Sequence, residues 1–347
     1  MEYHENDIEK LVDILNEDKP IFVNRLGGSD FDCLLGHLYS RNFNFDNQYT
    51  RVCEYNGYYD IDNNSEARKS RFVKFLSELD RTYRENPIAT GACRTLKHLI
   101  SVTENGDPID QYHQKYFSEM DLEFWNYHVI FENIDNFIKF FNGFAENKKI
   151  LIVSPFVDSI KRQIEGDGYF AGDRELVNCE YSYLKTFVTY YDKNKGILNS
   201  PHSNFSETVE YYKNQLNDMD FDIALLSCGS YSHFIGDHIK SIGRKAIYVG
   251  GILQLLWGVM GNRWLERDYA RYYDLSKCVS PGVINFTRDK KKESLNDYMN
   301  TDIILALPSN FNWEKYLQLN PSLGVMDEIH AKNHYIMKGR NSGLSYK

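Results

Sequence analysis

Between Pro20 and Asp32 the chain reads Pro-Ile-Phe-Val-Asn-Arg-Leu-Gly-Gly-Ser-Asp-Phe-Asp, which places one arginine, two glycines and two carboxylates directly after an apolar run. These residue types suit an anionic ligand. Arg25 can bind one through two parallel hydrogen bonds, and backbone N–H groups at a helix start attract phosphate. Asp30 or Asp32 can hold a cation or take a proton. The elements that must position them follow from the same residues. Ile21, Phe22 and Val23 read as a short buried strand, Gly27-Gly28 as a turn needing positive φ or close backbone approach, and Ser29 as the cap of a following helix. Ser29-x-x-Asp32 also fits a capping box, in which the acid does no more than start the helix; Asp30 has no such duty.

The 347 residues suffice for a large core, in one big domain or two. Hydrophobic residues at 42% and charged residues at 26% describe an ordinary globular chain. A formal net charge of -9 repels phosphate backbones, and the one basic run, Lys290-Lys291-Lys292, sits between Asp289 and Glu293. Nucleic acid is therefore excluded as the expected partner, while a pocket for one small phosphorylated molecule is compatible with net acidity. Cys33, Cys53, Cys93, Cys179, Cys228 and Cys278 are scattered without metal spacing and read as reduced thiols. The acidic start Met1 to Glu5 resembles no signal peptide. The uncharged run Ala246 to Gly261 falls short of the roughly twenty apolar residues of a membrane span. A cytoplasmic protein is expected.

Ile8, Leu11, Val12 and Leu15 predict an amphipathic helix before the organising strand, and Leu34, Leu35 and Leu38 continue the helix that begins at Ser29. Residues Val52 to Asn64 read as loop with room for one strand, Glu66 to Tyr83 and Thr95 to Val102 as helices, Val129-Ile130 as a strand, and Ile134 to Phe141 as a helix face. The second half is plainer. Lys149 to Val153 is an apolar run suited to a strand buried on both faces, followed by Ser154 as cap, Pro155 at the first helical position, and the stripe Val157, Ile160, Ile164. Ile223 to Leu226, the turn Cys228-Gly229-Ser230 and the helix face Ile235, Ile239, Ile242 form a second βα unit. Lys245 to Val249, Gly250-Gly251 and Leu253, Leu256, Trp257 form a third. Such repetition predicts an α/β architecture with a Rossmann-like, mostly parallel sheet, whose ligands bind outside the carboxyl ends of the strands. Beyond Pro308, Trp313 to Leu319 and Asp327 to Lys338 predict a small helical appendage. His330 and His334 share a helix face there but lack a third metal ligand, so a packed surface helix is the favoured reading.

The block Val23-Asn-Arg25-Leu-Gly27-Gly28-Ser-Asp30 resembles the R-x-G-D-G-E signature of GT-D-fold glycosyltransferases, bacterial enzymes that move sugars from nucleotide-sugar donors. The blocks Val153 to Gln163, Phe221 to Tyr231 and Ile247 to Trp264 are similar to those of uncharacterised relatives found beside surface-glycan genes. The tail from Tyr316 to Arg340 is similar to helical segments attached to glycosyltransferases in bacteria and large viruses. Together these pieces cover about a third of the chain. The family pairs two acids around a metal and the donor diphosphate; here the first is Gly28 and the second Asp30, so one carboxylate role carries over and a two-acid Mn²⁺ or Mg²⁺ site does not.

The resemblance implies a glycosyltransferase of surface-glycan synthesis with a nucleotide sugar, such as a UDP-sugar, and a glycan acceptor as partners. Residues 1–308 would form the catalytic domain (1–147, then the Rossmann-like 148–308) and 309–347 a helical tail. Arg25 and Asp30 are the expected catalytic residues, with Asp30 as general base and, at most, sole metal ligand. The expected nucleotide-binding set is Gly27, Gly28, Ser29, Ser154, Pro155, Ser159, Gly229, Ser230, Tyr231, Gly250, Gly251, Gln254 and Arg263. Each also has a plain reading: Ser154-Pro155 as a helix start, Gly250-Gly251 as a turn, Arg263-Trp264 as a packed cation–π pair, Tyr231 as core. Two rivals stand beside the transferase. One is another Rossmann-like nucleotide-dependent enzyme, which no G-x-G-x-x-G after a strand supports. The other is a non-catalytic nucleotide- or glycan-binding relative, which Gly28 favours.

Overall fold

The computed structural model describes residues 2–4, 7–26, 28–40, 42–91, 108–166, 175–189, 200–266, 273–281 and 304–347. Gly27, Cys93, the Thr95 to Val102 helix and the Lys290 to Lys292 run lie outside them. Two compact units emerge: Met1–Pro155 with Val177–Gly251, and Phe156–Leu176 with Ile252–Lys347.

The first unit is built on an eight-stranded sheet, formed by β1 (Glu2–His4), β2 (Ile21–Leu26), β3 (Ile88–Gly91), β4 (Glu123–Asn126), β5 (Lys149–Ser154), β6 (Glu180–Lys185), β7 (Ile223–Leu226) and β8 (Lys245–Tyr248). All neighbours are parallel, in the order β1-β4-β3-β2-β8-β7-β5-β6. The chain leaves β2 towards β3 on one side and enters β8 from β7 on the other, so its direction of travel reverses between the two central strands. Ile150 to Val153 are completely buried, as a parallel strand covered on both faces requires.

Around this sheet lie α1 (Ile8–Asn16), α2 (Ser29–Tyr39), α3 (Phe45–Asn56), α4 (Ser65–Glu85), α5 (Pro108–Ser118) and α6 (Ile134–Ala145); α7 (Val157–Glu165) belongs to the second unit, and α8 (Phe205–Asn217) and α9 (Tyr231–Ser241) complete the first. The asparagine richness of the chain has a local cause, because Asn44, Asn64, Asn133 and Asn204 each cap a helix through the side-chain oxygen. Helix α9 packs on β2 and β8, and Gly236 permits it: a Cβ there would overlap the Phe22 ring. Gly236→Val is expected to destabilise the protein by about 1–3 kcal/mol, more than valine's small gain in helix propensity returns. A urea titration monitored by circular dichroism checks this.

Several sequence expectations are corrected. Val52 to Asn64 is not loop throughout, since α3 runs to Asn56 and stops at Gly57 with φ +81°; its mean apolarity is low and its tyrosines hide the helical period. Val129-Ile130 lies in a π-helical turn, His128–Glu132, and the strand is Glu123–Asn126. Ser29 does not cap α2: Gly28 is the N-cap residue and makes no side-chain bond. Asp32 instead pairs with Arg51 at 3.1 Å and faces His113 at 3.6 Å, so the capping box is not formed. Ser154 and Pro155 do not start a helix either. Ser154 ends β5, and α7 begins at Val157 after a turn through Pro155 and Phe156.

The second unit holds α7, the greater part of a 3₁₀ segment Gly251–Trp257, α10 (Asn262–Glu266), α11 (Trp313–Leu319) and α12 (Glu328–His334). Leu253, Leu256 and Trp257 are thus on a 3₁₀ segment buried on every side rather than on one face of an α-helix. Tyr316, Ala331 and Tyr335 form a small core, and Asn333 ties it to the preceding chain by bonds to Tyr273 and Leu275. His334 Nδ1 lies 2.7 Å from the Tyr316 hydroxyl, while His330 pairs with Asp327. Among the described residues no group of three His, Cys, Asp or Glu converges on a metal position.

Candidate anion-binding edge

Parallel strands deliver their carboxyl ends to one edge, and β2, β8, β7 and β5 bring Arg25, Gly250, Ser227 to Ser230 and Ser154 there. Arg25 is the penultimate residue of β2. Its guanidinium carbon lies 4.4 Å from the centre of the Tyr127 ring and 5.7 Å from that of Tyr248. The Tyr127 hydroxyl donates to the Val249 carbonyl at 3.0 Å, which fixes the ring. Gly250 has φ +77°, and a Cβ on it would overlap Arg25 Nη1, so bare backbone is what admits the guanidinium. Thr90, opposite Arg25 in register on β3, is buried and its hydroxyl has no partner among the described residues.

A second cluster joins the starts of α2 and α9. Ser230 donates to Asp30 Oδ2 at 2.8 Å across 200 positions of sequence. The Phe31 N–H donates to Oδ1 at 3.0 Å, and His233 Nε2 stands 3.2 Å from Oδ2. Asp30 is 1% exposed. Burial by itself would push its carboxyl up, but the hydrogen bond and charge of His233, with Ser230 and the Phe31 N–H, outweigh it and hold the group below its ordinary value. The turn that carries Ser230 is pinned by Gly229, at φ +61°, whose added Cβ would sit 2.7 Å from the Asn56 carbonyl; the Ser230 N–H donates to that carbonyl. Cys228 in the same turn is no nucleophile, because burial pushes its thiol up to about 12.

A carboxyl held below its unfolded value stabilises the folded state fully above about pH 4, and that contribution is lost as pH falls through the lowered folded value. Urea midpoints are expected to drop on acidification from pH 7 to pH 3, and Asp30→Asn is expected to drop less over the same interval. Equal drops in the two proteins would refute this.

The sequence-predicted residues therefore divide. Arg25 meets Gly250, Asp30 meets Ser230, and Ser154 closes β5 beside β7, where the Ser227 N–H donates to the Val153 carbonyl. Gly28 is exposed at φ +104° in the α2 entry, next to Ser29, and Gly251 continues the Gly250 turn. Gly27 lies outside the described residues. Tyr231 is not at the edge: it is 2% exposed, stacks on Phe205 at 4.4 Å, and shares a 2.7 Å hydrogen bond with Thr189. Its large apolar ring is worth more in the core than at a wet rim. Ser159, Gln254 and Arg263 belong to the second unit. Ser159 accepts from Arg162, Gln254 donates to the Val259 carbonyl, and the Arg263 guanidinium lies 5.4 Å from the Trp264 ring centre.

Asn24, His233, Tyr127 and Tyr248 were not foreseen. A histidine between Ser232 and Phe234 in an otherwise apolar helix face was the available signal, since a buried ring nitrogen needs a partner. For a divalent cation the Asp30 donor set does not fit: one carboxylate is present, it is buried, and both its oxygens already face protein donors.

The fold is an α/β protein with an all-parallel sheet; in open sheets of this kind ligands bind outside the carboxyl ends of the strands at the reversal point, where this chain carries Arg25. No family model matches the sequence, and no curated protein sequence matches it. Solved structures do. One, "The highly conserved domain of unknown function 1792 has a distinct glycosyltransferase fold", is similar with a TM-score of 0.45 and 11% identity, covering 87% of this chain and 91% of that one. Another, "A New Glycosyltransferase (DUF1792) from Streptococcus sanguinis", is similar with a TM-score of 0.42 and 12% identity over 88% and 96%. Among the described residues no helix is long and apolar enough to cross a membrane.

Proposed function

We propose that this protein is a glycosyltransferase that takes a nucleotide-sugar donor, with a glycan hydroxyl as acceptor and surface-glycan synthesis as its setting. The observation that carries the reading is Arg25, a half-buried cation between two tyrosine rings at the reversal point of the sheet, facing a backbone left bare by Gly250. The GT-D-like signature around Arg25 supports the same assignment. In the reaction the bond between the sugar and the diphosphate breaks, its electron pair leaving with the diphosphate, the acceptor oxygen bonds to the sugar carbon, and the acceptor's proton passes to the departing diphosphate or to water. Charge accumulates on the leaving diphosphate. Arg25 and the N–H groups at the entries of α2 and α9 would neutralise it, carrying more of that load where Gly28 replaces a family acid.

Asp30 takes a different part from the expected one. A buried carboxylate held below its ordinary basicity is a poor general base, so it serves to join the α2 entry to the Gly229-Ser230 turn. That same observation favours the second reading, a nucleotide-binding relative without turnover. Calorimetric titration with a panel of nucleoside diphosphates, alone and with Mg²⁺ or Mn²⁺, tests the proposal, together with donor turnover. Heat with one nucleotide and release of its diphosphate from the matching sugar donor are expected. Binding without turnover selects the relative, and no binding by any nucleotide overturns both readings.

A further inference from the structure

We propose that His233 is a positioning residue that sets Arg25 through Asn24 while holding the Gly229-Ser230 turn through Asp30; this rests on the reading of Arg25 as the anion-binding group. His233 is 1% exposed on α9. Its Nδ1 lies 2.8 Å from Asn24 Oδ1, and the Arg25 N–H donates to that same oxygen at 2.8 Å. An amide oxygen only accepts, so Nδ1 carries the proton of its bond. The ladder between β2 and β8 ends at Val23, and two residues beyond it the Arg25 N–H is held by the Asn24 side chain. The β3 ladder still holds the other side of β2 at Arg25, and on the side that β8 no longer pairs the Arg25 N–H is held by an amide that His233 orients.

Two further features separate this from a merely satisfied core histidine. Asn24 is fully buried, and its Nδ2 has no partner among the described residues. A stranded buried donor is costly and an apolar residue would avoid it, so what Asn24 contributes is its oxygen. The imidazole is also locked: Tyr83 and Tyr248 meet it edge-on, with centroids 5.1 and 5.0 Å away and planes at 71° and 82°. The ring's two nitrogens point to residues 209 and 203 positions away, in the strand that carries Arg25 and in the helix that follows it. His233 touches neither the expected ligand nor reacting atoms; it acts through Asn24.

The experiment uses the full chain and inorganic pyrophosphate as probe, measured by calorimetry. His233→Asn places an amide near the position of Nδ1 and keeps the bond to Asn24, whereas His233→Gln reaches towards Asp30 and loses it. His233→Gln and Asn24→Ala are expected to weaken pyrophosphate about tenfold and His233→Asn less than threefold, while in an Arg25→Ala background all three change affinity less than twofold. Equal penalties for His233→Asn and His233→Gln, or penalties that persist without Arg25, overturn the proposal. Asn24→Ala leaves every bond to Asp30 in place, so it carries the test if a His233 variant does not fold. Should the wild-type protein bind no pyrophosphate, the anion reading falls separately, and amide exchange at Arg25 decides: at least tenfold faster exchange in His233→Gln than in His233→Asn is expected, and equal exchange overturns the positioning role.

Discussion

Asp30→Ala is expected to cost about 3–5 kcal/mol of folding stability, the range for removing one partner of a buried charged pair. The substitution removes three hydrogen bonds at once, from Ser230, His233 and the Phe31 N–H, and leaves the first two groups buried where water does not replace the lost acceptor. Asp30→Asn preserves the shape and one acceptor, so about 1–3 kcal/mol is expected for it. Urea titrations at pH 7 read both. A loss below about 1 kcal/mol for the alanine variant would mean that the cluster relaxes to solvent, contrary to its burial. Neither variant needs a ligand, which keeps this result independent of the functional proposal.

The second large effect concerns binding. Arg25→Ala is expected to weaken the preferred nucleoside diphosphate by about 100-fold, equivalent to about 2.7 kcal/mol, because two charge-assisted hydrogen bonds and their charge are lost together. Gly250→Val is expected to do nearly the same without touching the cation. Its side chain would occupy the place of Arg25 Nη1, and a β-branched residue at φ +77° adds about 1–2 kcal/mol of backbone strain. The double variant is expected to bind no more weakly than Arg25→Ala alone, since both act through one guanidinium. Calorimetry on the three proteins decides, and additive losses would separate Gly250 from Arg25.

Local chemistry made much of the fold legible. Lys149 to Val153, Ile223 to Leu226 and Lys245 to Val249 announce buried parallel strands through apolar runs, and the observed strands match these bounds to within one residue. The opening helix, the Glu66 to Tyr83 helix and the helix face from Ile134 are equally plain from their periodicity, and the observed helices contain them. Failures arose where two local rules competed or where no period was visible. Ser29 and Ser154 are ideal cap residues by type, yet Gly28 at φ +104° starts one helix and a turn through Pro155-Phe156 precedes the other, because the strand ends there dictate the backbone. Tyr231 lies beside a polar turn in sequence, but the first residue of α9 points into the core.

What the sequence by itself determined is the set of groups at the edge: an arginine after a strand, glycines in the turns, a carboxylate at a helix start, all written in short-range patterns of residue type. What only the tertiary structure decided is their pairing and hence their roles. Arg25 against Gly250 and Asp30 against Ser230 are contacts between segments some 200 residues apart, and no local period encodes them. Burial also set the surroundings of the carboxylate that reads as a base in sequence: it lies 1% exposed with Ser230, His233 and a backbone N–H facing its oxygens.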